Sequence, residues 1–573
     1  MLNNQKEKRA LSREFLKHFL TCAVYNKCTN TTHFDTLDKS MLKKVFTKAP
    51  LFPFLFALYP VVHLVSVNFS QIEPLAGLRT IIIMFIICLI PFLFFLAFTH
   101  SLQHSALYTF ILLLFFFLIF FILYAPVYRA LREIPGVGHA IGRHRYLISF
   151  TIILMLTIAA LLLVFGKKIS TGKMNDITLI ANLTITFLFL LPIFSIFYTS
   201  VKNRITANIS INALPQVDSL QVPSPDTLPD IYFIVLDMNT NENVLRKLLD
   251  YDDSIFSKAL EERGFYVSPC SQSNYDQTNR SLASILNMDY LQSIETASDP
   301  QALVTLIQHS KVQRMLESIG YTTYVFETNY WVTELKYLDN YLSGSDEIVN
   351  LLTYPGVTSF ESLILNISAG ELLYENRDGL SKTLRVMIDA PFVKAREVIL
   401  FTLDNLPKVA KNQRPKFVFA HLLSPHDPFV FNRDGDPAYR RTPYTNINDP
   451  EFGVGYGWDT YKKGYVDEVV YLHKRIIGVV DEILAQSEKP PVIIIQGDHG
   501  LPRLKSENAK FQILNAYYFP GVTDHGLYPT ISPVNSFRIV FNNYFNSDYE
   551  LLPDKSYATE ETLILQTEPF PCP

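Results

Sequence analysis

The chain has 573 residues, a net charge of −4 and five cysteines. That balance gives no case for nucleic-acid binding, and so few cysteines exclude a disulfide scaffold. The length allows several domains, and the hydropathy is split: long uncharged stretches fill the first 200 residues, whereas from about Pro229 onward the composition is that of a soluble globular protein.

Residues 1–49 read as a basic cytoplasmic arm, with ten Lys or Arg against four acids in residues 1–50. The arm is too long and too charged for a signal peptide. Residues 80–98, 106–127, 147–166 and 177–198 each lack Asp, Glu, Lys and Arg over roughly the 20 residues a bilayer requires. A fifth candidate span, residues 50–68, contains Pro53, Pro60 and His63, and membrane helices tolerate interior proline. Residues 50–201 are therefore expected to form a membrane domain of about five helices.

In a five-span arrangement the arm and Lys167, Lys168 and Lys173 face the cytoplasm, and everything after Tyr198 lies outside. Arg129, Arg132, Arg143 and Arg145 run against this bias, and without a crossing at 50–68 the large domain shares the arm's side. The four clear spans hold no ionisable group of the kind a transport pathway needs, so the region reads as an anchor rather than a conduit. Residues 202–228, with Pro215, Pro223 and Pro225, are expected to be a linker without packed elements.

From Asp230 strands and helices alternate, which predicts an α/β domain with a largely parallel sheet over residues 229–555. Strands are expected at 231–236, 264–267, 321–326, 416–420 and 492–495, with a helix over 464–485. Residues 556–573, with Pro569, Pro571 and Pro573, read as an irregular tail. Cys270 and Cys572 fall in the same half of the chain, which leaves a bond between them open.

Four of these elements carry polar groups at their ends, where open α/β sheets place ligands. Asp237 ends the first strand; such a residue also serves as a turn former or helix cap. Thr278 opens a helix, where it either caps the free N–H groups or presents a hydroxyl for anion chemistry. His421 and His426 follow the 416–420 strand in a segment stiffened by Pro425 and Pro428. Asp498 and His499 follow the β-branched run Val492–Ile495, flanked by Gly497 and Gly500, and offer one oxygen and one nitrogen to a divalent ion. The glycines are expected to let a metal or phosphate approach closely.

Taken in order, the strand ending in Asp237, the Thr278 loop and helix, the segment Ser424–Phe429 and the segment Gln496–Gly500 resemble the alkaline phosphatase/sulfatase superfamily. With five preceding spans, the resemblance is to its membrane-anchored branch, which includes lipoteichoic acid synthases and phosphoethanolamine transferases and is mostly bacterial. The resemblance implies that Asp237, Thr278, Asp498 and His499 bind one divalent ion (Mn, Zn or Mg). Thr278 would be the nucleophile, forming a covalent phospho-threonine, and His426 would contact the transferred group and protonate the leaving oxygen. His421, Arg280 and Arg503 would belong to the substrate-binding shell. The implied partners are the lipid bilayer, a phospholipid headgroup donor and an envelope glycan or lipid acceptor, with the catalytic domain outside the plasma membrane.

The chain departs from its relatives at several points. It lacks the C/S-x-P-S-R pattern of sulfatases, and Met238 stands where they show a second acid. Lipoteichoic acid synthases carry Glu at the position of Asp237, and phosphoethanolamine transferases have cysteine-rich ectodomains. The expectation is a phospho-transferase; a hydrolase of the same superfamily and a catalytically degenerate membrane scaffold are the alternatives.

Overall fold

The computed structural model describes residues 46–567 except 73–74, 133, 135–142, 221–227, 295–298, 339, 345–354, 413, 439–441, 446–456, 505–508 and 561–562. Most of the basic arm, Cys572 and the last three prolines lie outside the described residues. Among the described residues, four helices are long and apolar enough to cross a membrane: α2 (Leu78–Thr99), α3 (Leu102–Arg132), α4 (His144–Phe165) and α5 (Thr171–Asn212). Before them, α1 (Phe52–Val67) has 16 residues. At a rise of ~1.5 Å per residue it spans about 24 Å, short of the ~30 Å hydrocarbon core.

Helix α5 continues to Asn212, so residues 202–212 are helical where a linker was expected. No proline or glycine interrupts the chain between Pro192 and Pro215, and the hydrogen-bond ladder simply runs on past the apolar stretch.

The chain divides into two compact units. One takes the first half of α1, the C-terminal parts of α2 and α4 and the N-terminal parts of α3 and α5. Within it the buried Asn182 side chain accepts from the N–H groups of Leu51 and Phe52, each at 2.9 Å, and donates to the carbonyls of Phe46 and Ala49. The free N–H groups at the start of α1 are thereby satisfied in apolar surroundings.

The second unit holds the α/β domain together with Pro60–Met84, Phe116–Ser149 and Leu190 onward. Its first half runs β1 (Ile231–Leu236), α6 (Glu242–Leu248), α7 (Ser254–Glu261), β2 (Tyr266–Val267), α8 (Thr278–Asn287), α9 (Pro300–Gln308), α10 (Lys311–Ser318), β3 (Thr322–Phe326) and β4 (Asn340–Leu342). Three helices follow, α11 (Ser359–Asn366), α12 (Glu371–Glu375) and α13 (Lys382–Asn405), then β5 (Lys416–Leu422), α14 (Trp458–Gln486), β6 (Val492–Gly497), β7 (Asn515–Tyr518) and α15 (Ser536–Tyr544).

Four helix ends meet this domain. Arg79, at the start of α2, forks onto Glu361 of α11. Arg129, near the end of α3, pairs with Glu371 at 2.7 Å and Glu375 at 3.2 Å. His144 opens α4 and meets Asn376 at 2.8 Å; Lys202 of α5 pairs with Asp299 at 3.0 Å. Arg129, one of the residues that ran against the orientation bias, is thus ion-paired to the domain.

The sheet order is β2-β7-β6-β1-β5-β3-β4. Strands β6, β1, β5, β3 and β4 are parallel, and β7 runs antiparallel to β6 and β2. Side chains alternate along β1, so Ile231, Phe233 and Val235 pack beneath α8, α9, α10 and α15, while Tyr232, Ile234 and Leu236 face α7, α13 and α14. Both faces are covered, which is why the strand is an unbroken apolar run. Burying each such large side chain contributes about 1.5–3 kcal/mol.

Two boundaries differ from expectation. His421 lies within β5, not after it. Residues 556–567, expected to be irregular, form the antiparallel pair β8 (Ser556–Glu560) and β9 (Leu563–Thr567). The prolines that suggested irregularity stand beyond Thr567, and Leu563-Ile564-Leu565 is a β-forming run. Cys270 is disulfide-bonded, whereas Cys88 is free and buried.

Candidate metal centre

Strand β1 lies between β5 and β6, with Leu236 in register with Leu422 on one side and Gly497 on the other. The next residue along β1 is Asp237, and the next along β6 is Asp498, so parallel pairing alone delivers two carboxylates to the same level of one sheet end. Asp237, Asp498 and His499 are buried, and one ligand atom from each lies within 4.8 Å of the others. His499 Nε2 stands 3.7 Å from Asp237 Oδ1 and 3.7 Å from Asp498 Oδ2. His421, also fully buried, brings its Nε2 to 3.6 Å from Asp237 Oδ2.

Helix α8 supplies the hydroxyl. Gln277, not Thr278, occupies its N-cap, and no side chain caps there. Thr278 therefore does not serve as the cap; its Oγ1 lies 3.3 Å from His499 Nε2. One turn on, Ser281 donates to the Asp498 carbonyl at 2.5 Å and ties the helix to the strand end.

Hydrogen bonds fix the imidazoles. His499 Nδ1 meets the Gly500 carbonyl at 2.8 Å, an acceptor only, so the ring proton sits on Nδ1 and Nε2 presents its lone pair to the acids. At His421, Nδ1 meets Thr333 Oγ1 at 2.9 Å, and that hydroxyl donates onward to Thr328. The Thr333 oxygen thus accepts from Nδ1, again leaving the Nε2 lone pair inward.

Burial, then the charge of Asp498, raises the Asp237 carboxyl well above its usual range. At Asp498 burial acts the same way, but His499, His421, the Met238 N–H and the Thr278 hydroxyl together outweigh it and lower the pKa. Met238 adopts φ 66°, an uncommon left-handed conformation for a non-glycine residue, and its N–H donates to Asp498 Oδ1 at 3.0 Å. Burial holds His421 near pKa 4, hence neutral.

Asp237 Oδ1, Asp498 Oδ2 and His421 Nε2 are all buried without a hydrogen-bond partner among the described residues. Buried polar atoms are rarely left so, and their convergence on the inward face of an acid–acid–imidazole set fits a divalent cation. Two carboxylates, imidazole nitrogen and a hydroxyl form a mixed oxygen and nitrogen donor set, which suits Zn or Mn better than the all-oxygen shell Mg favours.

The flanking glycines have another purpose than the one expected of them. A Cβ on Gly497 would stand 2.3 Å from the Asn239 carbonyl oxygen, and one on Gly500 would stand 2.7 Å from those of Ala509 and Gln512. They admit neighbouring backbone rather than a metal or phosphate.

His426 is part-exposed and its Nδ1 donates to the Asp427 carbonyl at 2.5 Å. Arg503 lies over the Tyr461 ring at 4.5 Å and 3.6 Å from Asp427. Arg280 is half-buried two residues beyond Thr278, and its Nη1 has no partner among the described residues. Sequence reasoning missed two residues that hold the site. Thr333 orients His421 from a loop after β3, and Glu468, wholly buried in α14, accepts from Ser424 Oγ and from the Val430 and Phe431 N–H groups. Neither follows a motif, and the burial of Glu468 is visible only in the fold.

The sulfatase family profile matches residues 243–539, just over half of the chain. No curated protein sequence matches it. Among solved structures, the C-terminal periplasmic domain of EcEptC from Escherichia coli in complex with Zn is 11% identical, covers 58% of this chain and 87% of its own, and has a TM-score of 0.37. The integral membrane lipooligosaccharide phosphoethanolamine transferase A from Neisseria meningitidis is 13% identical, covers 87% of this chain and 95% of its own, and has a TM-score of 0.35. By the extent of the profile match, the chain belongs to the sulfatase family.

Proposed function

We propose that this protein is a membrane-anchored, metal-dependent phospho-transferase that moves a phospholipid headgroup through a covalent phospho-threonine at Thr278. The observation that carries the reading is the placement of Thr278 Oγ1 3.3 Å from His499 Nε2, beside two buried acids whose inward oxygens have no partner among the described residues. Asp237, Asp498, His499 and Thr278 would hold one divalent ion. When bound, such an ion supplies Lewis acidity that lowers the pKa of the threonine hydroxyl and offsets charge on the transferring group.

Each remaining step belongs to a side chain. Thr278 Oγ1 loses its proton to solvent and attacks phosphorus, and the bond from phosphorus to the diacylglycerol oxygen breaks. His426 Nε2 gives that oxygen its proton, then takes one from the acceptor hydroxyl as the phospho-threonine is resolved. Arg280, with a buried N–H that has no partner among the described residues, and Arg503 neutralise the phosphate. Neutral His421 lines the same pocket.

The domain organisation we propose is a cytoplasmic arm at 1–49, a membrane domain at 50–201, a connector at 202–228, a catalytic domain at 229–555 and a tail at 556–573. The catalytic domain would lie outside the cytoplasm, with an envelope glycan or lipid as acceptor. The disulfide at Cys270 supports an oxidising compartment. A hydrolase is the second reading, favoured by the family match.

The test is the full chain in vesicles of phosphatidylglycerol or phosphatidylethanolamine with Mn²⁺ or Zn²⁺, assayed for diacylglycerol and for the headgroup product. Diacylglycerol with the headgroup phosphate on an added hydroxyl acceptor supports transfer. Free headgroup phosphate whatever the acceptor supports hydrolysis. Turnover of sulfate esters without diacylglycerol would replace the phospholipid reading.

A further inference from the structure

We propose that residues 367–387, the turn from α11 into α12 and the first turns of α13, dip into the acyl region of the bilayer beside α3. They would make the α/β domain a monotopic membrane element as well as a tethered one. The inference does not depend on the reaction proposed above.

The first observation is a backbone hydrogen bond to a carbonyl within the uncharged run of α3. Ala369 N–H donates to the Phe120 carbonyl at 2.8 Å. Phe120 lies in the uncharged run of α3, seven residues before Val127 where that run ends, or about 10 Å of helix at ~1.5 Å per residue. A π-helical turn covers Leu118–Leu123, and the Tyr124 N–H goes to the Ile119 carbonyl, so Phe120 loses the donor that an α-turn would give it. In hydrocarbon that carbonyl needs another partner, and Ala369 provides it. Beside this bond the buried Leu372 packs against Ala125 and Tyr128.

The second observation is what these residues leave uncovered. Ten large apolar side chains of the described α/β domain are exposed, and five of them fall in this short stretch: Ile367, Leu373, Leu384, Val386 and Met387, with Val386 62% exposed. Single exposed apolar residues are ordinary, but half the domain's total in one segment marks a surface with an apolar partner.

The third is the placement of charge. Arg129 stands two residues beyond Val127, at the level where headgroups begin, and holds Glu371 and Glu375 of α12. The polar side of α12 is therefore fixed at the boundary. Lys382 and Arg385 flank the exposed Leu384, the arrangement expected of a segment with apolar side chains in the acyl layer and cations among headgroups.

The experiment uses the full chain in vesicles, with the two native tryptophans replaced (Trp331→Phe, Trp458→Phe) and single probes at Ile367→Trp, Val386→Trp or, for reference within α2, Ile90→Trp. All three probe sites are exposed on the protein, so substitution creates no cavity. Phosphatidylglycerol/phosphatidylethanolamine vesicles with brominated acyl chains are expected to quench Ile367→Trp and Val386→Trp at least half as strongly as Ile90→Trp, with aqueous iodide quenching them weakly. Strong iodide quenching without bromolipid quenching would place the segment in water and overturn the proposal. Protection from both quenchers would assign the patch to a second copy of the chain and also overturn it.

Discussion

His421 Nε2 stands 3.6 Å from Asp237 Oδ2, each carried by its own strand of the parallel pair β5 and β1. The imidazole is fully buried and its pKa is lowered to about 4 from 6.5 by burial. In the folded protein it therefore stays neutral while the unfolded chain takes up a proton. The associated stability is fully present above pH 6.5, is lost progressively as pH falls toward 4, and changes no further below that. The expected loss in metal-free protein is about 3 kcal/mol at ~1.4 kcal/mol per pKa unit. Denaturant titrations of the full chain and of His421→Gln between these pH values check it; the variant should show a flatter profile.

Asp237 and Asp498 present a conflict that a dication resolves. Without one, burial and the neighbouring charge favour the protonated form of Asp237. Asp237→Asn removes the cost of protonating that buried carboxyl at neutral pH, so metal-free protein should gain on the order of 1 kcal/mol. The same change should weaken metal binding by tenfold or more, on the order of 1.4 kcal/mol. Melting curves with chelator and with added Mn²⁺ or Zn²⁺ read both effects: the variant should melt higher than wild type in chelator and gain less from metal.

Glu468 holds the segment that carries His426 through three hydrogen bonds, to Ser424 Oγ, Val430 N and Phe431 N. Truncation leaves buried donors unsatisfied, at about 1–3 kcal/mol each. Glu468→Ala should therefore lower stability by on the order of 3 kcal/mol, and Glu468→Gln, which keeps one acceptor oxygen, by less. If His426 depends on this support, turnover should fall in both variants while metal stoichiometry stays at the wild-type value.

The sequence exposed the architecture well because its signals were strong and local. Uncharged stretches marked α2 to α5, and the β-branched run into Asp498 marked a central strand with its ligand end. Asp237, Asp498, His499 and Thr278 came together because each ends or begins an element at the carboxyl end of the central strands. The misreadings have physical causes. Helix α5 outlasts its apolar stretch because nothing in residues 202–212 breaks a helix. The glycines beside Asp498 and His499 answer to Asn239, Ala509 and Gln512, whose approach depends on tertiary packing. His421 looked like a loop residue because polar His is unusual at the end of a buried strand. Thr333 and Glu468 act from elements distant in sequence, which no local pattern reveals.

The most direct measurement is intact-mass analysis of the metal-loaded full chain after incubation with phosphatidylglycerol or phosphatidylethanolamine, with Thr278→Ala in parallel. The expected result is a headgroup-phosphate adduct that peptide mapping places on Thr278. Thr278→Ala should lack it and lose activity by on the order of 10³-fold or more, as removal of a nucleophile does. An adduct on another residue, or lipid turnover undiminished in Thr278→Ala, would contradict the phospho-threonine pathway.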